Sequence, residues 1–145
     1  MGEPAKILVV DDDPDFLDSI RVMLETHSYR VAVAPCEEEA LAQIEAERPS
    51  LLILDVMMSD WDSGFRFAWK LRADERYKTI PILVVTAVDK EVRTDFARHA
   101  NSPFRTPDDE SYLPVDGYIM KPVTTEGLIG SVKGILKHAE RRAAL

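Results

Sequence analysis

Ile7-Leu8-Val9-Val10-Asp11-Asp12-Asp13-Pro14 is a run of four aliphatic residues that stops on three carboxylates and a proline. A run this short, with no polar alternation, reads as a strand buried on both faces. Asp13-Pro14 reads as the opening of a helix, with Asp13 as N-cap and Pro14 at the first helical position, where its missing N–H costs little. The same grammar recurs downstream. Leu51-Leu52-Ile53-Leu54 runs into Asp55, Ile82-Leu83-Val84-Val85 into Thr86, and Tyr118-Ile119-Met120 into Lys121-Pro122, while Val31-Ala32-Val33 supplies one further strand.

Between these runs the apolar spacing becomes helical. Phe16, Leu17, Ile20, Met23 and Leu24 make one stripe, and Ala40, Leu41 and Ile44 a second after the acidic start Glu37 to Glu39, which suits the positive end of a helix dipole. A third helix is expected over about Phe65 to Asp74. Val92, Phe96, Ala97 and Ala100 mark a fourth, and Leu128, Ile129, Val132, Ile135, Leu136 and Ala139 a fifth. The order βαβαβαβαβα predicts an α/β domain: one five-stranded parallel sheet with right-handed crossovers and five helices distributed over both faces. Residues 101–116 interrupt it with Pro103, Pro107, Pro114 and several acids, and read as an insertion between the fourth helix and the last strand. There is no internal repeat.

With 145 residues, 46% hydrophobic and 30% charged, the chain is sized for one domain with a sizeable core, over about residues 5 to 140. The formal charge of −8 and the lack of a basic stripe argue against direct nucleic-acid binding. The single cysteine, Cys36, cannot form an intramolecular disulfide and is read as a small buried residue. Residues 1 to 6 lack the apolar core of a signal peptide, and no apolar run approaches the roughly 20 residues needed to span a bilayer. A cytoplasmic location without membrane contact is expected. His27, His99 and His138 show no ligand spacing and are read as surface or helix-end residues.

Ligands of parallel sheets bind at the carboxyl ends of the strands, so Asp11, Asp12, Asp55, Thr86 and Lys121 are expected on one rim. Carboxylates crowded there repel one another and need a cation. An ionised aspartate can act as a nucleophile toward phosphorus and form an acyl phosphate. Asp11 and Asp12 with Asp55 suit Mg²⁺, while Lys121 offers a compact positive charge and Thr86 a hydroxyl to the phosphoryl group. An aspartate alone often caps a helix and a threonine alone often ends a strand. The joint pattern is what points to a phosphorylatable switch.

The segments ILVVDDDP, LLILDVMM, ILVVTA and YIMKP, in this order and covering nearly the whole chain, resemble a response-regulator receiver domain, the phosphoacceptor half of a two-component system. The resemblance implies a doubly wound, flavodoxin-like fold. It implies Asp55 as phosphoacceptor, Asp11 and Asp12 as the acidic pair that holds Mg²⁺, the Met57 carbonyl as a further ligand, and Thr86 and Lys121 as phosphoryl contacts. It also implies Tyr118 as the aromatic switch residue and a cis bond at Lys121-Pro122. Implied partners are a sensor histidine kinase or histidine phosphotransfer protein, and a downstream effector protein or an output domain outside this sequence. Such a domain assists its own phosphoryl transfer and is a switch rather than an enzyme.

Two features depart from the family pattern: Ser59 stands where proline is common, with Gly64 one place later than usual, and the 101–116 insertion precedes the last strand. A haloacid-dehalogenase-like phosphohydrolase is the alternative enzyme reading, since Asp11 and Asp13 offer its Asp-x-Asp spacing, but it leaves Asp55 unexplained. A phosphorylation-independent pseudo-receiver is the alternative binding module.

Met57 and Val88, two residues after Asp55 and Thr86, are apolar and cannot orient a hydrolytic water through their side chains. A long-lived phosphorylated state is therefore expected. Met57→Asn and Val88→Glu should lose phosphate several-fold faster than the parent in Mg²⁺, followed as decay of the phosphorylated protein; equal decay would refute this.

Overall fold

Among the described residues the aliphatic runs become strands and the stripes become helices, because each buries the face that its spacing assembles. The computed structural model describes residues 4–55, 63–86 and 115–143, with the backbone alone at 63–65, 86, 142 and 143. The elements are β1 (Lys6–Val10), α1 (Pro14–Glu25), β2 (Arg30–Ala34), α2 (Glu37–Ala46), β3 (Leu51–Asp55), α3 (Ser63–Ala73), β4 (Ile82–Thr86), β5 (Gly117–Met120) and α4 (Thr125–Ala143). The helix expected around 92–100 lies outside the described residues, as does most of the 101–116 insertion.

All four strand pairings are parallel, and the order is β2-β1-β3-β4-β5. Strand alternation divides the core into two layers. Leu8, Val10, Leu52, Leu54, Ile82 and Val84 face α2 and α3, where they meet Ala40, Ile44, Phe67, Ala68 and Leu71. Ile7, Val9, Leu51, Ile53, Leu83 and Val85 face α1 and α4, where they meet Leu17, Ile20, Leu24, Leu128, Ile129 and Val132. This is the doubly wound arrangement. Its order reverses between β1 and β3, which opens a crevice above their carboxyl ends.

Local chemistry sets the boundaries as expected at α1. Asp13 is extended (φ −95°, ψ 109°), its carboxylate accepts from the Asp15 N–H at 3.0 Å, and Pro14 opens the helix. Cys36 departs from expectation. It is exposed at the N-cap of α2 with no side-chain cap bond, because β2 is an edge strand and the chain has already left the core when it reaches this residue.

Asp116, the last residue of the stretch read as the insertion, anchors the entry to β5. Its N–H donates to the Ile82 carbonyl at 2.8 Å, and its Oδ2 accepts from the Ile82 N–H at 2.7 Å and from Arg72 Nη2 at 2.8 Å. Arg72 of α3 also donates to the Ile80 and Lys78 carbonyls. Gly117 then admits close packing, since a Cβ there would meet Ile135 Cδ1 at 3.3 Å. Asp116→Ala leaves the Ile82 N–H and the Arg72 guanidinium without this acceptor, and should cost about 1–3 kcal/mol in urea unfolding. A change under about 0.5 kcal/mol would refute the anchoring role.

Candidate functional site

Register places the polar strand ends. Val10 pairs with Leu54, so Asp11 and Asp55 follow side by side at the ends of neighbouring central strands. Asp55 pairs with Val85, which pairs with Ile119, and Lys121 lies two residues beyond. Strands are spaced about 4.8 Å apart, so β5 runs about 10 Å from β3, a gap that a long lysine side chain bridges. Lys121 Nζ stands 3.3 Å from Asp55 Oδ2 and 3.7 Å from Asp11 Oδ2. The Lys121-Pro122 peptide is cis, as the resemblance implies.

Among the described residues, the buried charged side chains are Asp11 at 0% and Asp55 at 4% exposure. Asp11 Oδ1 accepts from the Asp13 N–H at 2.9 Å, while Asp11 Oδ2 is buried and has no hydrogen-bond partner. Burial is the main force that pushes the Asp11 carboxyl up to about 7. The Asp13 N–H opposes that shift; Asp55 reinforces it through a hydrogen bond and its charge; Lys121 opposes it by charge. An orphaned buried carboxylate oxygen beside a second carboxylate is what a hard cation with oxygen ligands satisfies. Among the described residues no three His, Cys, Asp or Glu side chains converge into a closed metal cage. Mg²⁺ needs none, because it keeps several waters and binds through one or two carboxylates plus phosphate oxygens.

The structure therefore brings together Asp11, Asp55 and Lys121, with Asp12 exposed directly after Asp11. Thr86 ends β4 opposite Met120, its side chain outside the described part. Tyr118 lies on β5, partly buried against the layer that faces α2 and α3. Met57 and Val88 fall outside the described residues. His27 and His138 are exposed, as read; His99 also falls outside. Sequence reasoning missed Phe16, whose ring centroid lies 4.1 Å from Lys121 Nζ. Its place in the apolar stripe of α1 concealed it, although a first-turn residue directly after Asp11 to Asp13 is bound to stand near their rim.

A family model described as the response regulator receiver domain matches residues 7–102. The alkaline phosphatase synthesis transcriptional regulatory protein PhoP of Bacillus subtilis is 33% identical over 135 residues, 93% of this chain and 50% of that protein. Protein PilH of Pseudomonas aeruginosa is 26% identical, over 91% of this chain and 98% of its own length. A crystal structure of a CheY-like response regulator receiver domain protein from Methanospirillum hungatei superposes with a TM-score of 0.75 at 28% identity, covering 96% of this chain and 98% of that one. The chain spans 64%, 38% and 50% of the length of three curated relatives it matches. The match displaces the haloacid-dehalogenase-like alternative. No helix among the described residues is long and apolar enough to cross a membrane.

The raised Asp11 carboxyl has a stability consequence. Unfolded, it loses its proton near 3.8; folded, it holds the proton to about 7, so its ionisation costs stability progressively as pH rises between those values. In metal-free buffer Asp11→Asn should be more stable than the parent by about 1–3 kcal/mol at pH 8, with the difference much smaller near pH 5. Urea unfolding at both pH values checks this. A variant less stable than the parent at pH 8 would refute it.

Proposed function

Because the chain belongs to the response regulator receiver domain family, a family of signalling domains, we propose that Asp55 accepts a phosphoryl group from a histidine kinase or histidine phosphotransfer protein and that this switches partner binding. One observation carries the reading: two buried carboxylates at adjacent strand ends, one with an orphaned oxygen, face the Lys121 ammonium. Asp11, Asp12 and Asp55, with the Met57 carbonyl, would hold Mg²⁺. When bound, that ion offsets the carboxylate repulsion and neutralises charge on the phosphoryl oxygens.

The chain's own residues supply the rest. An Asp55 carboxylate oxygen attacks phosphorus as the P–N bond of the phosphohistidine breaks, and the electron pair stays on the imidazole, which carries its proton on the other ring nitrogen. Asp55 gives up its own negative charge on becoming an acyl phosphate, so Lys121 exchanges its Asp55 partner for a phosphoryl oxygen. Thr86 donates its hydroxyl to another. Tyr118, on the same short strand as the residue preceding Lys121, carries the change toward the β5 edge. Loss of Lys121 should then slow phosphoryl uptake and uncouple phosphorylation from response. The receiving partner is an effector protein or an output domain.

The test is labelling with acetyl phosphate, read by intact mass. The parent should gain one phosphate in Mg²⁺ and essentially none in EDTA, and Asp55→Asn should gain none. Equal labelling of Asp55→Asn would overturn the assignment.

A further inference from the structure

Phe16 is the third residue of α1, partly buried, and packed against the layer shared by α1 and α4. Its ring centroid lies 4.1 Å from Lys121 Nζ, while the same nitrogen reaches Asp55 Oδ2 at 3.3 Å and Asp11 Oδ2 at 3.7 Å. The ammonium is thus held between two carboxylates and an aromatic ring. Attraction between a cation and a ring quadrupole is effective within about 6 Å of the centroid, and it strengthens when the cation is shielded from water. The Lys121 side chain is 24% exposed, so shielding is substantial.

We propose that Phe16 is a positioning residue for the phosphoryl-transfer reaction, which holds the Lys121 ammonium over the strand-end carboxylates. This rests on the reading of Asp55 as phosphoacceptor. A lysine side chain has four rotatable bonds and much rotamer freedom to lose, and the Asp55 carboxylate alone would tie it to a group whose charge is lost on esterification. The ring supplies an attraction independent of Asp55. It remains when that carboxylate loses its charge, and it sets no single direction, so the ammonium can shift from carboxylate to phosphoryl oxygen without losing contact. An aliphatic residue would fill the same space and pack against the same layer, but would not attract the cation.

The experiment compares Phe16→Leu, Phe16→Met and Phe16→Tyr with the parent, after thermal melts establish that each is folded. Labelling by acetyl phosphate in Mg²⁺ should slow roughly 3- to 10-fold in the aliphatic variants and stay within about twofold in Phe16→Tyr, which keeps the ring. Aliphatic variants that label at the parental rate, or a tyrosine variant as slow as they are, would overturn the proposal. A second measurement is independent of phosphorylation: the ε-methylene protons of Lys121 should be shifted upfield by the ring in the parent and in Phe16→Tyr, and should return to ordinary values in Phe16→Leu. No upfield shift in the parent overturns the proposal even if the variants do not fold. A parent that shows the shift but takes up no phosphate would instead count against the Asp55 assignment.

Discussion

The parallel pairing of β1 with β3 is the constraint on which the site depends. The two strands are not consecutive in sequence, yet their register sets Val10 against Leu54, and the next residue on each is an aspartate. Two carboxylates then occupy neighbouring positions where aliphatic packing below excludes water. Desolvation and the neighbouring Asp55 push the Asp11 carboxyl upward, and its Oδ2 is buried without a hydrogen-bond partner. The Lys121 ammonium at this rim answers that electrostatic problem.

Lys121 can answer it only if β5 is firmly placed, because its ammonium must cross β4 to reach Asp55. The edge strand is fixed at its start rather than at the site. Asp116 accepts from Ile82 and Arg72, and Gly117 lets Ile135 of α4 approach closely. Arg72 in turn ties α3 to the chain entering β4 through the Ile80 and Lys78 carbonyls. The strand that carries Tyr118 and leads into Lys121 is therefore anchored to α3 and to α4. Lys121, the contact to Asp55, directly follows the four residues of β5, so the rim and the packing of the β5 edge are joined by one short strand.

Much of this was legible in the sequence, for reasons that are local. Doubly buried strands need uninterrupted aliphatic runs, so strand positions show without ambiguity, and a proline behind an aspartate declares the start of α1. The strand-end residues Asp11, Asp55 and Lys121 follow, since ligands of a parallel sheet collect at its carboxyl edge. What stayed hidden has equally physical causes. Cys36 resembles a core residue by type, but its exposure depends on β2 lying at the sheet's edge, which no local pattern encodes. Asp116 looked like loop composition because its role is to bond with Ile82 and Arg72, residues 34 and 44 positions away.

The sequence by itself determined the described elements, the parallel sheet and the chemical character of its rim, because periodicity and capping act over a few residues. Only the tertiary structure decided the order β2-β1-β3-β4-β5, the burial that drives the Asp11 carboxyl upward, and the seating of Lys121 between two carboxylates and the Phe16 ring. Those are relations among side chains up to 110 positions apart, from Asp11 to Lys121. They come into being only when packing brings the strand ends together.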